Sequence, residues 1–156
     1  MLSTPKSTKP KLGNKRVTGK EQYYTPTDLA EQLISEVLSL VPDLAERKIL
    51  EPAGGTGSFL KAAAKVGAKD LLSFDIEPKH PQVKQANFLE VNLGPVFGAV
   101  TLGNPPFGRN NALSIPFFNH AAPHSDFIAF IVPRSWRKWS VMNRLDRHFH
   151  LIDDQD

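Results

Sequence analysis

The stretch Ile49-Leu50-Glu51-Pro52-Ala53-Gly54-Gly55-Thr56-Gly57-Ser58-Phe59-Leu60 decides the fold. The apolar lead-in from Lys48 to Leu50 predicts a short buried strand that ends at Glu51-Pro52, and Gly57 to Val66 predicts a helix. Between them, glycines lack a Cβ and tolerate unusual dihedrals, so backbone can come close to a ligand at the start of the helix. Two phosphate-binding variants of this turn do not fit. A dinucleotide fingerprint starting at Gly55 needs a third glycine where Leu60 stands, and a phosphate loop needs lysine where Ser58 stands.

Downstream, the pattern repeats. Leu71 to Phe74 predicts a strand ending at Asp75, Val96 to Leu102 one ending at Gly103-Asn104, and Phe127 to Val132 one ending at Pro133. Phe149 to Ile152 predicts a sixth strand. Upstream, Thr25-Pro26-Thr27-Asp28 predicts a helix start, with Thr25 as hydroxyl cap, proline at the first helical position and an acid in the first turn. Apolar Leu29, Leu33, Ile34, Val37 and Leu38 then recur at helical spacing to about Val41. Short apolar strands alternating with helices imply parallel pairing, right-handed crossovers and an open Rossmann-like α/β sheet. Ligands of such sheets sit beyond the carboxyl ends of the strands, where the residues following each of these strands fall. Asp75, 20 residues after Gly55, is placed to accept hydrogen bonds from both ribose hydroxyls of an adenosine-containing cofactor.

With 156 residues, 40% of them hydrophobic, the chain suits one domain. No cysteine is present, which removes disulfides, thiolate nucleophiles and thiolate metal sites together. No run approaches the roughly 20 apolar residues that a bilayer needs, and the first residues are charged and proline-rich, so a soluble intracellular protein is expected. The net charge of +3 is uneven: residues 1–20 hold six cations and no acid, leaving the other 136 residues at −3. A basic arm over 1–20 is expected to be disordered when free and able to dock on phosphate, or to serve only as a solubilising tail. The folded domain is expected over 21–156. His120, His124, His148 and His150 lack an accompanying acid cluster, and no metal site is expected.

Asn104-Pro105-Pro106-Phe107 carries the chemistry. A nucleobase amino group is conjugated with its ring, so its lone pair is a poor nucleophile, and no side-chain base deprotonates it at neutral pH. An asparagine side-chain oxygen and the next backbone carbonyl can each accept one amino hydrogen and localise the lone pair on nitrogen. Pro105 and Pro106 offer no competing donor and fix the backbone. Phe107 offers a flat face for an extruded base. Arg134, Trp136, Arg137, Lys138 and Trp139 bring cations and aromatics together near the open end of the sheet, as nucleic-acid contact requires, although the two tryptophans could instead share a buried helix face.

These segments in this order resemble the S-adenosylmethionine-dependent N6-adenine methyltransferases in their γ arrangement. Tyr23-Tyr24-Thr25-Pro26 comes first, then the Glu51–Leu60 loop, then Asn104–Phe107 and Phe130-Ile131-Val132-Pro133-Arg134-Ser135-Trp136, so the resemblance spans about 21–150. It implies a class I methyltransferase fold, S-adenosylmethionine as cofactor and nucleic acid as partner, DNA before RNA. Carried over by position, Tyr24, Thr25 and Pro26 line the cofactor pocket with Pro52, Ala53, Thr56, Phe59 and Asn104. Glu51 and the Gly55–Gly57 backbone hold the methionine end, Asp75 the ribose, and Ile76 and Phe88 the adenine faces. The family's adenine-reading acid is replaced by Asn87, whose amide oxygen can still accept a hydrogen bond. Asn-Pro-Pro-aromatic motifs also occur in enzymes that methylate guanine amino groups or the glutamine amide of release factors. The latter usually carry tyrosine where Phe107 stands, and the Thr-Pro segment favours adenine. A complete fold of this class closes with a further strand, for which the chain has no room. Either the domain is minimal and reads loose or single-stranded substrates, or a partner subunit or oligomer completes it, or the chain is a fragment; a non-catalytic binding subunit is the other reading.

Overall fold

The computed structural model describes residues 15–16 and 23–156. Five short parallel strands form one open sheet: β3 (Ile49–Glu51), β4 (Leu71–Asp75), β5 (Val83–Gln85), β6 (Ala99–Gly103) and β7 (Ser125–Phe130), in the order β5-β4-β3-β6-β7. Two-residue strands β1 (Lys15–Arg16) and β2 (Tyr23–Tyr24) pair antiparallel outside it. Two residues assigned to the basic arm thus belong to a ladder. The rest of 1–20 lies outside the described residues.

Alternation along the strands sorts side chains into two cores. Ile49, Val100 and Leu102 point to one face, where α1 (Thr27–Leu40) and α2 (Ser58–Lys65) cover them through Ile34, Val37, Phe59 and Ala63. Leu50, Phe74 and Ala99 point to the other, under Phe117 and Ala121 of α3 (Ser114–Ala121) and Phe88. Parallel register places Ile49 beside both Leu71 and Val100, so β3 is paired and covered on every side. From β3 the chain moves outward to β4 and β5, then returns across β3 to β6. The reversal lies between β3 and β6, and the crevice at their carboxyl ends is where open α/β sheets bind ligands.

Three expectations need correction. Thr25 does not cap α1: Pro26 takes the cap position without a side-chain bond, and the Asp28 carboxylate accepts from the neighbouring Leu29 N–H. The Thr25 hydroxyl is engaged elsewhere, as described below. Phe149 to Ile152 is not a strand. A strand exists only through its partner's ladder, and these residues lie along the groove beside β7 without entering its hydrogen bonding, with Leu151 and Ile152 exposed. The sheet also gains β5, a three-residue strand whose Val-Lys-Gln sequence carries almost no periodic signal. No helix among the described residues is long and apolar enough to cross a membrane.

Candidate active site

The site forms where β3 and β6 end side by side. After Pro52, the Gly54 N–H donates to the Phe74 carbonyl at 2.7 Å and Gly57 N–H to the Gly54 carbonyl at 2.8 Å, closing the turn that launches α2. Gly55 and Gly57 sit at φ of +50° and +79°, which glycine adopts without strain. Close packing adds a second requirement, because a Cβ on Gly57 would stand 2.6 Å from the His80 ring. Asp75 organises the loop from below: its Oδ2 accepts from Gly55 N–H and its Oδ1 from Glu77 N–H, both at 2.8 Å. Each oxygen has a second lone pair, so this role is compatible with further donors.

Glu51 is buried, and register brings Ser73 beside it, so that the Ser73 hydroxyl donates to Oε2 at 3.1 Å. Oε1 is buried with no hydrogen-bond partner among the described residues. Burial pushes this carboxyl up to about 8; the Ser73 hydrogen bond opposes the rise and the Asp75 charge adds to it. In the unfolded chain the same carboxyl titrates near 4.5. Between these values only the unfolded state has released the proton, so rising pH costs stability across that window. Wild-type protein is expected to lose a few kcal/mol between pH 5 and pH 8, measured by urea unfolding, and Glu51→Gln to show a markedly flatter profile.

Asn104 follows Gly103, whose φ of +143° lies in the region that favours glycine and whose backbone faces the Glu51 side chain. The Asn104 side chain is also buried: its Nδ2 donates to the Thr25 hydroxyl at 3.2 Å, and its Oδ1 has no partner among the described residues. Thr25 further accepts at its carbonyl from the Ser58 hydroxyl, at 2.8 Å, and the Tyr24 ring lies over Gly55. Tyr24 and Thr25 therefore strap the glycine loop to Asn104. The space enclosed with Glu51, Ala53, Thr56 and Phe59 is about 10 Å³, near the volume that holds one water. Glu51 lines this space, and its Oε1, without a donor among the described residues, fits a ligand that brings hydrogen-bond donors and positive charge. Admitting one of cofactor size requires the strap to move.

Pro105 is fully buried, and Pro106 and Phe107 are half-buried. The Phe107 carbonyl accepts from Leu113 and Ser114 N–H, which ties the motif to the start of α3. In the intervening loop Asn110 and Asn111 both hold positive φ, 54° and 61°, local strain of the kind that gathers at functional loops. Ile76 is 46% exposed, whereas Phe88 is 1% exposed and packs edge-on against His120. Phe88 thus supports the pocket from within the core and does not present an open face opposite Ile76. The Asn87 oxygen accepts from Leu89 N–H at 3.1 Å, capping a turn, and keeps a second lone pair.

In the basic segment, a turn at Arg134–Arg137 is followed by α4 (Trp139–Met142). Trp136 does not sit with the cations. It is buried against Phe118, and its indole N–H donates to the Ser114 hydroxyl at 3.1 Å. Trp139 is the exposed aromatic, at 77%. Arg134, Arg137 and Lys138 are exposed. His120 and His124 bond the Val91 and Val96 carbonyls. Ser58, Ser73 and the Thr25–Asn104 bond are site features that the sequence reading missed. The Ser73 pairing depends on strand register, and the others on a tertiary contact.

No family model matches the chain. Over 96 residues, 60% of the chain, it is 31% identical to the type II methyltransferases M.HincII and M.HindII of Haemophilus influenzae, covering 18% of each. The chain thus spans about a fifth of the length of the curated relatives it matches. Among solved structures, a candidate RNA methyltransferase from Pyrococcus horikoshii superposes with a TM-score of 0.63 at 23% identity, covering 80% of this chain and 71% of that one. A candidate class I S-adenosylmethionine-dependent methyltransferase from Listeria monocytogenes gives 0.56 at 16% identity, covering 85% and 53%. The fold is that of the class I methyltransferases.

Proposed function

We propose that this chain transfers a methyl group from S-adenosylmethionine to the exocyclic amino group of adenine in nucleic acid, DNA before RNA. The observation that carries this reading is the Asn104 side-chain oxygen, buried without a partner among the described residues while its Nδ2 is tied through Thr25 to the glycine loop. When bound, S-adenosylmethionine supplies a methyl carbon activated by a positively charged sulfur.

The chain's own residues prepare the acceptor. Asn104 Oδ1 and the Pro105 carbonyl accept the two amino hydrogens and localise the nitrogen lone pair. The extra proton leaves only after nitrogen has become tetrahedral and acidic, so no side-chain base is needed. Phe107 stacks on the extruded base, a contact worth about 1–3 kcal/mol in comparable cases. Glu51, Gly55 and Gly57 hold the methionine end: Oε1 of Glu51 offers an acceptor to its ammonium group, whose charge favours the ionised carboxylate. Asp75 receives the ribose and Ile76 one adenine face. Tyr24, Thr25 and Pro26 close over the cofactor. The type II methyltransferases matched in sequence support a methyl-transfer role.

The acceptor polymer is identified by incubating the protein with methyl-tritiated S-adenosylmethionine and DNA, RNA or release-factor protein separately. Label is expected in nucleic acid. Label confined to protein would overturn the reading in favour of amide methylation.

A further inference from the structure

Arg134 and Arg137 are exposed, yet both are engaged by the acidic run Asp153-Asp154-Gln155-Asp156. Arg137 grips Asp154 with a two-pronged fork, Nε to Oδ2 at 2.7 Å and Nη2 to Oδ1 at 2.8 Å. The Asp156 Oδ1 lies 3.0 Å from Arg137 Nη1 and 3.3 Å from Arg134 Nε, so one carboxylate bridges two guanidinium groups. This contact holds the Asp154 carboxyl below the ordinary range.

The acidic run is delivered to this place by packing. Phe149 lies edge-on against Phe118, in the same cluster as Trp136. Asn119 fastens the segment twice, its Nδ2 donating to the Arg144 carbonyl at 2.9 Å and its Oδ1 accepting from Asp146 N–H at 2.8 Å.

A guanidinium fork binds carboxylate and phosphate with the same geometry. We propose that Asp154 and Asp156 occupy the seats of two backbone phosphates of a nucleic-acid strand on Arg137 and Arg134, so that the acidic run and the strand compete for one surface that extends onto Lys138 and Trp139. The inference rests on the nucleic-acid substrate proposed above. Exposed ion pairs are weak and screened by salt, so a polyanion that offers many phosphates can displace the run. Trp139, exposed beside the cations, is placed to stack on a base of the same strand.

The test is fluorescence anisotropy with a fluorescein-labelled single-stranded oligodeoxynucleotide, using the full chain and varying salt. The double variant Asp154→Asn/Asp156→Asn is expected to bind about three- to tenfold tighter at low salt, with the gain shrinking as salt screens both competitors. Asp153→Asn removes a charge from the same run but touches neither arginine, and should change affinity less than about twofold. Adding Arg137→Ala to the double variant should remove most of the gain. Equal affinity of wild type and double variant, the same gain from Asp153→Asn, or no binding by either at low salt would overturn the proposal. Methyl transfer measured in parallel separates the two claims. Tighter binding without transfer refutes the proposed reaction alone, and transfer with unaltered binding refutes the competition alone.

Discussion

Asn104→Ala is expected to lower the methyl-transfer rate by about 10²–10³-fold, the usual cost of removing one placed polar partner from a reacting group. The cofactor dissociation constant should stay within about threefold, because Glu51, the glycine loop and Asp75 remain intact. Asn104 Oδ1 is the atom at issue: it is buried, has no partner among the described residues and follows β6 where it runs beside β3. Its orientation is set by Nδ2 donating to Thr25. Thr25→Val should therefore be milder than Asn104→Ala, since the oxygen is kept while the carboxamide becomes free to turn. Single-turnover rates together with equilibrium cofactor binding separate these effects. A comparable loss of cofactor affinity in Asn104→Ala would place the residue in binding and not in the reaction.

Trp136→Ala is expected to destabilise the fold by about 3–5 kcal/mol, the range for large core aromatics. At this chain length that lowers the melting temperature by roughly 10 °C or more. Trp136 fills the cluster of Ile115, Phe118 and Val141, and its N–H satisfies Ser114, so truncation leaves both a cavity and a buried hydroxyl short of a partner. Trp139→Ala, three residues on, should stay within about 0.5 kcal/mol of wild type because that side chain is exposed. Thermal unfolding of the two variants side by side checks the assignment, and equal melting temperatures would contradict it.

The contrast between these tryptophans shows where sequence reading reached its limit. Strand positions were legible because parallel buried strands are near-continuous apolar runs, and the loop because Gly54 to Gly57 must turn where β3 ends. Asn104 and Asp75 were placed correctly at strand ends by the same logic. Thr25 was misread as a helix cap, because a hydroxyl before a proline satisfies that local rule while its partner, Asn104, lies 79 residues away. Phe149 to Ile152 had the composition of a strand but no ladder to join. Trp136 and Trp139 lie in one basic segment, and only the packing of α3 decides which is buried. The Phe88 contact with His120 and the Asn87 turn cap depend on packing and turn geometry that no local pattern announces. Burial of Glu51 depended on Ser73 and Gly103 arriving from separate strands, so its raised pKa had no local signal.

The most direct test of the central claim is nucleoside mass analysis of DNA and RNA after reaction with S-adenosylmethionine bearing a deuterated methyl group. The expected product is N6-methyladenine carrying the deuterium label, reduced about 10²–10³-fold in the Asn104→Ala reaction. Label on the guanine amino group, or on no nucleoside while the protein binds cofactor, would contradict it.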